Sequence, residues 1–423
     1  MQEIVGTILG KSVKKVAQLR RGSGQALPGL VIEKLFPAYF VKMLRQLPDG
    51  IVIIAGTNGK TTTTKIVTEL LQANGKRVLT NPTGSNLTRG INSTLIHQAK
   101  LSGKLPFDIA ILELDEAYAK QFAKLVKPRW VLTLNVTRDQ LDRFGEVDTA
   151  ATMLAETMAQ ATEGVVTNAN DPRLSVTVNN LDVPRVVLFG VDDSLRKYYP
   201  SENELVAVGG VAAGSIANKD VAVVLTSFSK NHATYKIGDK ELSTTLQLSG
   251  QHNYQNVAAA IALTQVLLPE IPAETLITQL AKIKSAFGRG ELFQLKNDSS
   301  LQLILVKNPA GFRQALASYL PSKAPIMVAI NDNIADSRDV SWLWDVDFSP
   351  LKNHRIALTS GKRAADMALR LQYEDIAVEK VEPNLSDALK EYCQLPGDKL
   401  LFTTYTAMLW FYKTLKNEAG KKL

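Results

Sequence analysis

The chain has 423 residues, which is long enough for two or three domains with cores of their own. Its 45% hydrophobic and 21% charged residues are typical of a globular protein and exclude a disordered chain. A single cysteine, Cys393, excludes an internal disulfide framework and a zinc site built from cysteines, and it fits a reducing cytoplasm.

The formal charge is +8, and much of the basic excess lies near the two ends of the chain. A basic surface can meet nucleic acid, anionic lipid head groups or a phosphorylated substrate, or it can simply aid solubility. Because no basic patch is interleaved with aromatic residues that would stack on bases, we expect no nucleic-acid partner. No apolar run approaches the roughly 20 residues of a membrane-spanning helix, and no signal-peptide core is present. We therefore expect a cytoplasmic protein.

Residues 1–49 form a basic, helix-prone segment that is too short for a full substrate-binding domain. A break at 22–24 is followed by an apolar stretch that runs through Phe40 and Leu44.

The segment 51–73 predicts a buried strand, a glycine turn and a helix. This unit forms a phosphate cradle, in which Lys60 reaches the terminal phosphates and Thr61 offers its hydroxyl to Mg²⁺. Ile54 stands where the general P-loop pattern has a glycine, so a turn that merely contains Gly-Lys-Thr is the alternative. The predicted phosphate loop comprises Gly56, Thr57, Asn58, Gly59, Lys60, Thr61 and Thr62.

Strands and helices alternate after this loop, which predicts a mostly parallel sheet with helices on both faces. Ligands of such sheets lie at the carboxyl ends of the strands. Glu113 ends one predicted strand there and is a candidate Mg²⁺ ligand. Asp115 and Glu116 fit better as first-turn residues of the next helix.

The sequence pattern changes at two points in the second half of the chain. Residues 190–245 are rich in short strand-like runs and predict a small inserted β-subdomain. A turn at 287–291 is the predicted hinge, beyond which a second α/β unit begins. We therefore predict an N-terminal segment at 1–49, an ATP-binding domain at 50–290 and a C-terminal α/β domain at 291–423.

The loop at 56–62 resembles the ATP loop of the Mur ligase superfamily, which includes the folylpolyglutamate synthases. The resemblance implies an ATP and Mg²⁺ site with a Rossmann-like C-terminal domain. Segment 134–143 resembles the stretch that offers a histidine to a second Mg²⁺, but Gln140 occupies the place of that histidine. Asp139 or Asp142 can substitute, or Asp142 can pair with Arg143. The lysine that bridges the metals in amino-acid-adding members has no counterpart, because no lysine lies between Arg143 and Arg173.

The same resemblance assigns nucleotide contacts. Residues 166–172 resemble the turn that holds the nucleoside, with Asn168 and Asp171 as contacts, although both types are also ordinary turn residues before proline. His252, Asn253 and Asn256 resemble the segment beside the adenine. Arg289 resembles the arginine that reaches the γ-phosphate, where a guanidinium suits phosphoryl transfer.

Residues 306–311 and 329–345 resemble the C-terminal domain of the MurT family, the ligase subunits of lipid II isoglutaminyl synthase. That resemblance implies a heterodimer with a class I, GatD-like glutaminase that supplies ammonia for amidating the α-carboxyl of D-glutamate in lipid II. It also implies that Asp345 or Asp339 completes the partner's catalytic triad; a capped structural loop is the alternative for either residue. Since residues 190–245 lack the cysteines of the zinc ribbon common in this family, we expect no zinc.

The residues alone predict an ATP-dependent ligase that activates a carboxylate as an acyl phosphate for attack by nitrogen. Cys393 lacks the sharp glycine turn of a nucleophile elbow, so the chain needs a separate source of ammonia. A folylpolyglutamate-synthase-like or other amino-acid ligase and a non-catalytic ATP-binding scaffold are the alternatives.

Overall fold

The computed structural model describes residues 2–19, 27–81, 88–139, 147–200, 221–248, 250–284, 289–295, 298–320 and 323–419. The chain divides into two compact units. The first comprises residues 1–136, 148–246 and 254–283, and the second comprises 137–147, 247–253 and 284–423.

Three N-terminal helices belong to the first unit: α1 (Gln2–Leu19), α2 (Leu27–Leu35) and α3 (Tyr39–Leu44). They pack against one another and against α5 (Thr88–Gln98). Two glycines of α1 allow this close packing. A Cβ at Gly6 would lie only 2.8 Å from the ring of Tyr39 in α3, and a Cβ at Gly10 would lie only 2.9 Å from Ile96 in α5. Residues 1–49 therefore fold onto the first unit.

The core of the first unit is a sheet that its described strands form in the order β2-β3-β1-β4-β5-β6-β7-β8-β9. The neighbouring pairs from β2 through β7 are parallel, as the alternation of strands and helices predicts. The strands are β1 (Ile51–Ala55), β2 (Val78–Thr80), β3 (Ile109–Glu113), β4 (Trp130–Thr133), β5 (Gly164–Asn168), β6 (Val186–Val191), β7 (Val221–Ser229), β8 (His232–Ile237) and β9 (Lys240–Thr245). Its remaining helices are α4 (Lys60–Ala73), α6 (Glu116–Val126), α7 (Val147–Met158), α8 (Pro172–Asn179), α9 (His252–Leu267) and α10 (Ala273–Leu280), of which α7 and α9 each begin on residues of the second unit.

The described strands of the predicted insert extend this sheet. β7 pairs in parallel with β6, and β8 and β9 follow as an antiparallel meander. The backbone N–H and C=O groups along the edge of β6 are thereby hydrogen-bonded to β7. If the insert were a separate subdomain, these groups of β6 would be unpaired. Residues 201–220 of the insert lie outside the described residues.

The second unit is also an α/β fold, with strand order β10-β11-β15-β12-β13-β14 among its described residues. Only the pairing of β10 with β11 is antiparallel. The strands are β10 (Arg289–Gln294), β11 (Ser300–Leu305), β12 (Ile326–Ala329), β13 (Ile356–Ser360), β14 (Val378–Glu382) and β15 (Lys399–Thr403). The helices are α11 (Pro309–Tyr319), α12 (Ala364–Gln372), α13 (Leu385–Gln394) and α14 (Tyr405–Ala419), with a 3₁₀ turn at Ser341–Asp345.

The α/β class with mostly parallel sheets is therefore confirmed. Within the described ranges, no helix is both long enough and apolar enough to cross a membrane.

Candidate active site

The phosphate loop joins β1 to α4 and depends on two glycines with positive φ. Gly56 has φ +121°, and a Cβ there would lie 3.0 Å from the carbonyl oxygen of Asn135. Gly59 has φ +90°, and a Cβ there would lie 2.3 Å from Oδ1 of Asn256. Only glycine fits both the backbone conformation and the close approach at these two positions.

Replacing Gly59 with alanine is expected to destabilise the protein by about 2–3 kcal/mol, because the left-handed φ and the collision with Asn256 add together. The matched control is Gly75→Ala. Gly75 has φ +84°, but no atom lies within 4 Å of an added Cβ, so only the backbone strain of about 1 kcal/mol remains. Thermal unfolding without nucleotide measures the difference. Equal losses for the two variants would contradict the packing role of Gly59.

Asn135, just beyond the end of β4, holds the loop in place. Its Oδ1 accepts a hydrogen bond from the backbone N–H of Asn58 at 2.9 Å, and its Nδ2 donates to the carbonyl oxygen of Asn58 at 3.0 Å. Its own carbonyl accepts from the N–H of Thr57 at 3.0 Å. This contact joins residues 77 positions apart, so no local sequence pattern predicts it.

Lys60 folds back over the loop it follows. Its Nζ donates to the carbonyl oxygens of Gly56 at 2.5 Å and Thr57 at 3.3 Å. The ammonium group is thus held at the mouth of the turn, where phosphate oxygens are stronger acceptors than carbonyls. Thr61 is half-buried and Thr62 is buried in the first turn of α4.

Glu113 is a buried carboxylate at the carboxyl end of β3, the strand that pairs with β1. Its backbone N–H and carbonyl oxygen bond to the amide of Asn81, at 3.0 Å and 2.9 Å. Its Oε2 is buried and finds no hydrogen-bond partner among the residues that the structure describes. An unpartnered buried carboxylate oxygen is expensive unless a cation neutralises it, so Glu113 fits a Mg²⁺ ligand.

Glu116 shares this property, which the sequence did not predict. It is buried in the first turn of α6, and within the described part of the chain its Oε2 also has no hydrogen-bond partner. Asp115, in contrast, caps the helix by accepting from the N–H of Tyr118 at 3.0 Å, as its position predicts. No group of three or more His, Cys, Asp or Glu residues suited to a metal occurs in the described parts of the chain. Residues 140–146, which include Gln140 and Asp142, lie outside those parts.

The predicted nucleoside turn is held together by its own side chains. Asn168 donates to the carbonyl oxygen of Leu134 and accepts from the N–H of Asn170, both at 3.0 Å. The carboxylate of Asp171 accepts from three backbone N–H groups, those of Val136, Arg173 and Leu174, at 2.7 to 3.1 Å. Burial nevertheless raises the pKa of Asp171 above its usual value.

Asn170 also holds this turn, although no sequence pattern predicts a role for it. Its Oδ1 accepts from the N–H of Val191 at 2.7 Å, and its Nδ2 donates to the carbonyl of that residue at 3.2 Å. The side chains of Asn168, Asn170 and Asp171 thus fix the conformation of this turn.

Helix α9 carries the predicted adenine segment. Asn256 lies against Gly59, so the predicted adenine segment contacts the predicted phosphate loop. His252 and Asn253 fall on residues assigned to the second unit, and Asn253 is buried. The side chain of Arg289 lies outside the described part of the structure.

In the second unit, residues 137–139 meet the start of α11 and the 3₁₀ turn. Asp139 accepts from Lys307 Nζ at 3.2 Å and from Asn308 Nδ2 at 3.1 Å. This carboxylate is therefore already paired, which weakens Asp139 as a replacement metal ligand. Arg138 forms a salt bridge of 3.1 Å with Asp345.

The two candidate triad aspartates differ in their contacts. Asp345 is held by Arg138, and its backbone oxygen accepts from Arg313. Asp339 accepts from the N–H of Ser341 at 2.8 Å, a loop-capping bond within its own turn. Both side chains are half-exposed, so each remains accessible.

A cavity of about 690 Å³ opens beyond the carboxyl ends of β12 and β13. Two pairs of polar residues in its wall contact each other. Arg363 forms a salt bridge with Asp332 at 2.9 Å, and Lys362 donates a hydrogen bond to Asn333 at 2.6 Å. No sequence pattern predicts a role for Lys362 or Arg363. The cavity is lined by Asp332, Asn333, Ile334, Ala335, Arg338, Lys362 and Arg363.

The fold and the phosphate loop together define a ligase of the Mur type. The Mur ligase middle domain matches residues 54–264, and the MurT ligase C-terminal domain matches residues 305–408. The chain is 30% identical to the lipid II isoglutaminyl synthase subunit MurT of Streptococcus pneumoniae, over 98% of this chain and 97% of that protein. The Staphylococcus aureus MurT subunit is 28% identical over 96% of each chain. The chain belongs to the MurT family, as the resemblance of residues 306–311 and 329–345 predicts.

Solved structures agree on the fold. A MurF from Acinetobacter baumannii has a TM-score of 0.67 at 17% identity, covering 92% of this chain and 80% of that one. The MurF of Thermotoga maritima, solved with ADP, has a TM-score of 0.66 at 17% identity, covering 92% and 85%. The FolC of E. coli, solved with DHPP and ADP, has a TM-score of 0.61 at 15% identity, covering 90% and 92%.

Proposed function

We propose that this chain is the ligase subunit of a lipid II amidating enzyme, and that it converts D-glutamate of the stem peptide to D-isoglutamine with ATP. The observation that carries the proposal is similarity to MurT subunits along almost the entire chain, joined to an intact phosphate loop at 56–62. ATP activates the α-carboxyl as an acyl phosphate, and ammonia displaces the phosphate.

The residues around the loop have separate roles in this proposal. Lys60 and Arg289 neutralise the charge that develops on the transferred phosphoryl group. Asn168, Asp171, His252, Asn253 and Asn256 hold the nucleoside.

Thr61 and Glu113 are the residues that hold Mg²⁺, and the buried unpartnered oxygen of Glu113 supports this. When bound, the ion offsets the negative charge of the phosphates. We keep the ATP-binding domain at 50–290 and the C-terminal domain at 291–423, so that the partner-facing aspartates belong to the C-terminal domain. The compact units divide the chain differently and count His252, Asn253 and Arg289 with the second unit.

The ammonia comes from a GatD-like class I glutaminase bound as a heterodimer. Ammonia is mostly ammonium at neutral pH, so local release benefits the reaction. Asp345 or Asp339 orients the catalytic histidine of that partner across the interface. The complex works at the inner face of the cytoplasmic membrane, where lipid II is made.

The test is to purify the chain with its candidate glutaminase and to incubate the complex with lipid II, ATP and glutamine. Amidation replaces a hydroxyl with an amino group, so the mass of lipid II falls by about one dalton. Omitting ATP or the chain should abolish the change.

Two alternatives give different results in the same preparation. Incorporation of radiolabelled glutamate into a folate would instead indicate a folylpolyglutamate-synthase-like enzyme. ATP binding without turnover on lipid II, glutamine or ammonia would indicate a scaffold.

A further inference from the structure

Helix α1 has an unusual distribution of side chains. The residues that face the protein are small, since Gly6 packs on Tyr39 and Gly10 packs on Ile96. Thr7 is fully buried between them and bonds the Tyr39 hydroxyl at 2.7 Å. The larger aliphatic residues lie on the opposite side, facing solvent.

These outward residues form one stripe. Ile4, Val5, Ile8 and Val16 are between 42% and 53% exposed. Ile4, Ile8 and Val16 recur at multiples of four, which places them on one helix face. The turn after α5 continues the stripe, because Gly103 packs on Ile4 and Leu101 beside it is 66% exposed. We call Ile4, Val5, Ile8, Val16 and Leu101 the α1 patch.

Lysine side chains lie close to this stripe. Lys15 is exposed on the outward face, and Lys11, one turn before it, is half-buried and donates from its Nζ to the carbonyl oxygen of His97 at 3.5 Å. Lys14 is also half-buried but lies one turn after Gly10, on the inward side of the helix. Residues 1–49 contain eight Lys or Arg residues against three Asp or Glu residues. An exposed apolar stripe with lysines along it is the pattern of a helix that lies in the interface of an anionic bilayer.

We propose that the α1 patch docks the protein on anionic lipid. The aliphatic side chains enter the boundary between head groups and acyl chains, and the lysines meet the lipid phosphates. The proposal deepens the proposed function, because an enzyme acting on a lipid-linked substrate gains from being held at the bilayer. The docking itself does not depend on the reaction.

The experiment measures binding of the full chain, in complex with its glutaminase, to sedimented vesicles. Vesicles of phosphatidylglycerol and phosphatidylcholine are compared with pure phosphatidylcholine. We expect binding to the anionic vesicles that weakens as salt is raised. Ile8→Asn/Val16→Asn should lower the partition coefficient at least tenfold, and Lys11→Gln/Lys15→Gln should lower it by about tenfold or more.

The matched control is Val176→Asn/Leu292→Asn. These residues are at least as exposed as Ile8 and Val16 but lie on other elements. The control should bind vesicles like the parent protein. All variants change exposed or half-exposed residues, and unchanged thermal unfolding verifies that they fold.

Several results would overturn the proposal. One is equal binding to neutral and anionic vesicles, and another is an equal loss of vesicle binding in the patch and control variants. A third is a dimer of the parent protein in light scattering that becomes a monomer in the Ile8→Asn/Val16→Asn variant. The last result would assign the patch to a second copy of the chain. Amidation of detergent-solubilised lipid II separates docking from function: patch variants should retain it, whereas its absence in the parent protein would contradict only the proposed function.

Discussion

We expect Lys60→Ala to lower the rate of ATP-dependent lipid II amidation by about 10²–10³-fold while the protein remains folded. Among the described residues, the Nζ of Lys60 donates to the carbonyl oxygens of Gly56 and Thr57, which are neutral acceptors, so its removal takes no ion-pair partner from a buried carboxylate there. What is lost is the ammonium group that neutralises the phosphoryl group as its charge redistributes. Amidation of lipid II with saturating ATP, followed by mass spectrometry, measures the effect.

Lys65→Ala is the control for this prediction. Lys65 lies on the same helix and makes a surface salt bridge with Glu69, a type of contact that contributes little. Its variant should retain activity within about twofold of the parent protein. If Lys60→Ala retained similar activity, the loop at 56–62 would not be the phosphate site.

The second large effect concerns the source of nitrogen. Changing the aspartate that completes the partner's triad to asparagine should lower glutamine-driven amidation by about 10³–10⁴-fold, because the histidine loses its orienting carboxylate. Amidation driven by added ammonium chloride should persist, since ammonia then bypasses the glutaminase. Asp339→Asn and Asp345→Asn are each measured with both nitrogen sources.

Asp347→Asn is the control for a merely structural effect. Asp347 accepts from the N–H of Ser349 at 2.9 Å, which is the same loop-capping bond that Asp339 makes with Ser341. The control should retain both activities. If Asp345→Asn lost both, its salt bridge with Arg138 would be the reason, and Asp345 would be structural.

The sequence predicted those parts of the protein that depend on neighbouring residues. The strand β1, the glycine turn and the helix α4 follow from local patterning, and the strand ends that carry Glu113 and Asn168 follow from the rule for parallel sheets. The helix cap at Asp115 has the same local origin.

Contacts between distant residues were not predictable in this way. The amide of Asn135 holds Asn58, and the amide of Asn170 holds Val191, because folding brings separate strand ends together. The pairing of Asp139 with Lys307 and Asn308 is of the same kind. Helix α1 reverses the usual pattern, since its inward face is small and its aliphatic residues point outward. The sequence therefore indicated a helix-prone segment but not which face of the helix is buried.

The assignment of residues 137–147 to the second unit has a practical consequence for dissecting the protein. A C-terminal fragment beginning at 284 would lack Asp139, whose carboxylate is only 9% exposed and satisfies both Lys307 and the fully buried Asn308. Such a fragment would lose both of these hydrogen bonds and also the salt bridge between Arg138 and Asp345. The second unit therefore consists of three separate stretches of the chain. A truncation at residue 284 removes two of them, 137–147 and 247–253, from the unit to which they belong.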